Sequence, residues 1–157
     1  MLAEILYKLS LALGYKEQNW TGFPKQESQE TISWSSAKEI TENTTGIGIV
    51  TYHNSDAYYK FVDIEHLKNF MEVNPVSKRT YVPEEHDCDD FSYELMGDVS
   101  KWDPALAFGI IWGITPSGNS HVWNWCVGLD KKIWFIEPQT DKVFLPDEYW
   151  KTTWIML

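Results

Sequence analysis

Apolar residues in the first fourteen positions recur at Leu2, Ile5, Leu6, Leu9 and Leu13. That is helical spacing and Gly14 is a natural stop, so an amphipathic helix is predicted over residues 1–14. Residues 15–45 are polar and mixed, with Gly22 and Pro24 among many Ser, Thr, Gln and Glu. They predict loops and a short helix near 35–41. The run from Gly46 to Tyr52 reads as a strand. Asp63 is placed to cap a helix reaching Glu72, with Ile64, Leu67, Phe70 and Met71 on one face, and Asn74-Pro75 ends it.

Tyr81-Val82-Pro83 is predicted to be extended, and Asp87 to cap a second helix carrying Cys88, Phe91, Leu95 and Met96 and ending near Gly97. After Pro104 the pattern shortens to β runs at 105–115, 121–128 and 132–137, with two more at 142–145 and 152–157. Pro116-Ser117-Gly118-Asn119 is the turn after the first of them. A helix-rich first half followed by an antiparallel sheet is an α+β arrangement.

The chain has 157 residues, which suits one domain over 1–157 that removes roughly two-thirds of its unfolded surface from water. Residues 1–45 carry no functional signal. Hydrophobic residues make up 43%, enough for a packed core, and most of the nine Trp fall after residue 100, where they are expected to build the core of the sheet. The net charge of −10 repels phosphate backbones and anionic lipid heads, which argues against nucleic acid and membrane partners. Glu4 and Lys8 interrupt the first apolar run, which is too short for a bilayer and lacks the charge order of a signal peptide. A cytoplasmic protein is expected.

Two cysteines and four scattered histidines lack zinc-site spacing. Cys126, between Trp125 and Val127 on a strand, reads as a core thiol, and His53, His66 and His86 read as surface residues. Cys88 lies instead in the acidic run His86-Asp87-Cys88-Asp89-Asp90 at a helix start. There the unpaired backbone N–H groups favour thiolate. His121 is the available base, and an even separation from Glu137 puts both on one face of a hairpin turning near 129–131. Thiol, imidazole and carboxylate in that order suggest nucleophilic acyl-transfer chemistry, with Cys88 as nucleophile, His121 as base and Glu137 as its orienter. Asn124 and Gln139 are alternative orienters, although Asn124 should point to the other face.

A Cys on a helix N-terminus, a His on a strand and a polar residue on the next strand resemble the papain-like cysteine peptidases. More narrowly, Asp87-Cys88-Asp89-Asp90-Phe91, His121-x-x-Asn124 and Glu137-Pro138-Gln139-Thr140 resemble the calcium-dependent C-terminal protease domain of the Marasmius mushroom agglutinin, over roughly residues 62–157. The resemblance implies a papain-like fold, N-terminal helices packed on a C-terminal antiparallel sheet, a Cys88/His121/Glu137 triad and a peptide or protein substrate. A papain-type Gln upstream of the nucleophile is missing; Val82 and Pro83 lie there.

Glu84, Glu85, Asp87, Asp89 and Asp90 crowd the thiol and disfavour its anion. A hard cation would cancel that field, so calcium is expected on Asp89 and Asp90, with Gln139 or Glu137 nearby. The leading expectation is therefore a calcium-dependent cysteine hydrolase, peptidase or amidase. The alternatives are a transglutaminase-like acyl transferase and a catalytically silent binding module for glycan or protein.

Overall fold

The computed structural model describes residue 5, residues 22–45 and residues 51–157. The helix expected over 1–14 lies outside them apart from Ile5, as does the 46–50 part of the first expected strand. In chain order the elements are β1 (Thr31–Ser33), α1 (Trp34–Thr44), β2 (Thr51–His53), β3 (Tyr58–Lys60) and α2 (Ile64–Val73). A 3-10 turn follows (Val76–Lys78), then α3 (Cys88–Trp102), β4 (Phe108–Ile114), β5 (Ser120–Val127), β6 (Ile133–Glu137), β7 (Lys142–Phe144) and β8 (Lys151–Met156).

The main sheet has six strands in the order β2-β8-β4-β5-β6-β7, and β1 pairs with β3 in a separate ribbon. β2 runs parallel to β8, while the other neighbours are antiparallel. This corrects the expected layout of N-terminal helices on a purely antiparallel C-terminal sheet. The first half contributes three short strands, one of which joins the main sheet and makes it mixed. Three residues are too few to show an alternating pattern, which is why β1 and β3 escaped the sequence reading.

The helix starts follow their caps. Ser33 accepts from the Ser36 N–H at 3.1 Å and Asp63 from the His66 N–H at 3.1 Å. At the head of α3 the Asp90 carboxylate reaches back to the Asp87 N–H at 3.1 Å, half of a capping box. α3 does not stop at Gly97. Phe91, Leu95, Val99 and Trp102 keep a buried stripe at helical spacing, and that tertiary burial outweighs the helix cost of one glycine. Trp102 ends the stripe stacked on Phe70 of α2, centroids 4.4 Å apart and 7° from parallel.

The sheet is covered on both faces. Alternation along β5 sends Cys126 toward α2 and α3, where it meets Phe91, Leu95 and Ile136, while Trp123, Trp125 and Val127 point away to Ile32, Ala37 and Phe61. Asn124 is fully buried on the α3 side, and its amide donates to Ser92 O at 3.0 Å and Gly109 O at 3.1 Å, tying helix to sheet. On β4, a Cβ at Gly109 would lie 1.9 Å from Met156 O and 2.8 Å from Trp125 Nε1. The missing side chain is what lets the Trp125 indole donate to Met156 O at 3.0 Å.

Two glycine substitutions should therefore act in opposite directions. Gly109→Ala should lower stability by about 2–3 kcal/mol through overpacking. Gly97→Ala, whose added Cβ meets nothing within 4 Å, should raise it by about 0.5–1 kcal/mol. Urea unfolding followed by tryptophan fluorescence reads both.

Candidate functional site

Pairing between β5 and β6 ends at Asn124 opposite Ile136. Beyond that point the two strands run on as Trp123, Val122 and His121 on one side and Glu137 on the other. The head of α3 meets this open end. His121 Nε2 lies 2.6 Å from Glu137 Oε2, both side chains being about one-fifth exposed. A carboxylate only accepts, so Nε2 carries the proton in this pair. The other Glu137 oxygen accepts the Gln139 N–H at 3.2 Å, which fixes the carboxylate from behind. The imidazole also stacks on Trp123, with centroids 6.1 Å apart.

Cys88 opens α3 and is partly exposed. Burial raises its thiol pKa, and the charges of Asp87 and Asp89 raise it further. The backbone N–H of Val122, the neighbour of His121, and that of Cys88 itself pull the other way and do not prevail. Burial, helped by the adjacent acids, thus outweighs the backbone N–H groups. Among the described residues no hydrogen bond joins the Cys88 thiol to His121. Cys126 is fully buried and its thiol is pushed far up by desolvation, as befits a core residue.

The neighbouring Asp87 and Asp89 carboxyls interact so that Asp89 is raised, helped by burial, and Asp87 is lowered, the latter also facing the N–H groups of Glu84, Asp89 and Cys88. One ligand atom from each of Asp87, Cys88 and Asp89 falls within 4.8 Å of the others. Of the residues expected around a cation, Asp89 joins this group. Asp90 is engaged in the helix cap, and the Gln139 backbone supports Glu137. Asp87, read in sequence as a cap and as one of the acids crowding the thiol but not as a ligand, also belongs to this group. Two hard carboxylates fit a cation such as calcium. The thiol between them is a soft ligand, so water or another oxygen would have to complete the shell.

The remaining histidines are used structurally. His66 is not a free surface residue: its Nε2 is 2.8 Å from Pro24 O, and its ring stacks on Trp102 at 5.5 Å. His86 lies 3.4 Å from Glu94 and 4.4 Å, centroid to centroid, from Phe91. His53 is exposed beside Trp154.

Mixed-sheet modules with helices on both faces and a thiol, imidazole and carboxylate cluster at an open strand end form the class to which this chain conforms. The chain belongs to the Agglutinin C-terminal family, whose model matches residues 59–143, more than half of its 157 residues. No curated protein matches it. Among solved structures it is similar to one described as a PSL1a-E64 complex, at 20% identity and a TM-score of 0.70 over 81% of this chain and 51% of that one. A second is the Polyporus squamosus lectin bound to the human-type influenza-binding epitope Neu5Acα2-6Galβ1-4GlcNAc. It matches at 20% identity and a TM-score of 0.68, over 81% of this chain and 49% of that one. The chain thus spans about half the length of each, and identity at this level concerns the fold.

These matches correct the papain-like reading. The family is agglutinin by description, and the fold aligns with a lectin. The papain-like fold, the cysteine protease or amidase activity, the hydrolase and thiol-protease character and the peptide or protein substrate are withdrawn on that ground. No helix among the described residues is long and apolar enough to cross a membrane.

Alkylation should expose the acidic turn. Iodoacetamide should label Cys88 and spare Cys126 in the native protein, with a pH midpoint above that of a free thiol. Asp89→Asn should move that midpoint down, and mass spectrometry of timed samples over pH 7–10 reads it.

Proposed function

We propose that this chain is a carbohydrate-binding module of the agglutinin type. The single observation that supports this reading most is the agreement of residues 59–143 with the Agglutinin C-terminal family. The fold likeness to a lectin described with a bound sialylated epitope adds to it. Burial and the acids beside it favour the protonated form of the Cys88 thiol, a weaker nucleophile than its anion. Binding should appear as retention of the full chain on a glycan array and as a saturable heat signal with the retained sugar. Absence of any glycan binding, together with stoichiometric His121-dependent reaction of Cys88 with iodoacetamide, would overturn the reading.

Within that function the cluster at the head of α3 is proposed to hold a calcium ion through Asp87 and Asp89. A cation between them would offset their like charge and would quiet the repulsion among the acids of residues 84–90. His121 and Glu137 line the same end of the sheet. Calcium at a hundredfold excess over its Kd should add about 2.7 kcal/mol of stability and raise the melting midpoint by several degrees. The effect should weaken at acid pH, because a proton on Asp89 competes with the ion. An unchanged midpoint in calcium against chelator, read by differential scanning fluorimetry, would remove the calcium assignment.

A further inference from the structure

The segment between the 3-10 turn and α3 is a strap slung between two fixed ends. At one end the Arg79 N–H closes the 3-10 turn on Val76 O at 3.0 Å, and at the other Asp87 caps α3. Between them the chain turns back on itself. The Val82 N–H donates to His86 O at 2.9 Å, the His86 N–H to Val82 O at 2.8 Å and the Glu85 N–H to Val82 O at 3.1 Å. Tyr81, Val82, Pro83, Glu84 and Glu85 are all exposed. The strap thus pairs its own backbone and buries little, and segments of that kind open locally at far lower cost than a core.

Its polar and ring ties to the body of α3 converge on one helical turn. Phe91 and Glu94 are three residues apart and share a face of the helix. The His86 ring lies 4.4 Å from that of Phe91, centroid to centroid. Glu94 Oε2 is 3.3 Å from Arg79 Nε, and its Oε1 is 3.4 Å from His86 Nε2. Two features mark the closed strap as strained. Glu84 sits at φ 63, a left-handed backbone that costs any residue with a Cβ. His86 Nδ1 donates to Thr80 O at 3.1 Å, while its buried Nε2 completes no hydrogen bond. Opening would give that nitrogen water and let Glu84 return to ordinary backbone.

We infer that residues 80–86 form a hinged strap, latched on α3 by Glu94 and Phe91, whose opening controls access to Cys88. Asp87 is the hinge and Cys88 the next residue in the chain. The Glu84 N–H donates to Asp87 Oδ2 at 3.3 Å, which ties the tip of the strap to the carboxylate beside the thiol. A strap that swings away therefore loosens Asp87 and uncovers its neighbour. The Arg79–Glu94 contact is well exposed and hence weak, as a latch that has to release requires. Neither a sugar nor a cation is needed for this motion.

The test is amide exchange on the full chain, read residue by residue by NMR, with timed iodoacetamide labelling of Cys88 beside it. The Val82, Glu85 and His86 amides should exchange together, about tenfold or more faster than the paired amides of β4 and β5. Glu94→Ala should speed the three strap amides about fivefold and Cys88 labelling about threefold, with the sheet amides and the melting midpoint unchanged. Arg79→Ala should act in the same direction and add less than about twofold to Glu94→Ala, because the two remove one contact. Should Glu94→Ala fail to fold, Arg79→Ala, at a side chain 59% exposed, carries the test alone. Glu84→Asn accepts left-handed backbone and should slow strap exchange. Glu85→Gln makes the same charge change at a position without a positive φ and should leave it within about twofold. Strap amides as slow as those of the sheet, or indifferent to both latch variants, would overturn the strap. Acceleration that spreads equally to the sheet would assign Glu94 to general stability and overturn it as well. Faster strap exchange with unchanged Cys88 labelling would overturn the control of the thiol.

Discussion

The docking of α3 onto β5 is the contact on which the rest of the molecule depends. It joins a helix whose stripe is Phe91, Leu95, Val99 and Trp102 to the sheet through the buried Asn124 amide, which donates to a helix carbonyl and to a β4 carbonyl at once. Removing the amide would leave two buried acceptors without their donor, a larger penalty than the gain from one ordinary hydrogen bond. Because the contact fixes the helix along its length, it also brings Cys88 to the open end of β5 and β6.

The strict alternation of a strand then divides the labour. Odd positions of β5 send Trp123, Trp125 and Val127 into the core under α1 and the β1–β3 ribbon, and even positions send Asn124 and Cys126 under α3. His121 has the same parity as the tryptophans but lies past the last β5–β6 pair, where no strand covers it, and there it finds Glu137. The site exists because two strands stop pairing before they end. Burial of the Cys88 thiol, helped by the charges of Asp87 and Asp89, outweighs the backbone N–H groups that in isolation would favour the anion.

Much of the second half could be read from residue order. The Asp63 cap, the start of α3 at Cys88 and the runs that became β4 to β8 are strong local signals, and the even spacing of His121 and Glu137 anticipated that they would meet. What escaped was tertiary. Gly97 looked like a helix end because propensity argues locally, whereas Val99 and Trp102 keep the helix going through burial. β1 and β3 are three residues each and owe their pairing to the body they cover. The peptidase reading failed at a different level. A thiol, an imidazole and a carboxylate in order specify a geometry, and geometry alone does not state what is done with it. The acidic neighbours, visible in the sequence, were the sign that this thiol rests in its protonated form.

The order of strands in the main sheet carries a consequence for how the chain reaches its native state. β8 is the last strand in sequence, yet it sits between β2 and β4. Thr51–His53 therefore has no sheet neighbour until residues 151–156 are in place, about a hundred positions later. Contacts of that separation carry a large loop-closure cost before they return any pairing energy, and folds built on them form slowly. A growing polypeptide would assemble the β4–β5–β6 meander first and hold the β4 edge open. Inserting β8 would then be the late event that recruits β2 and completes the row from Trp112 through Trp154 to His53.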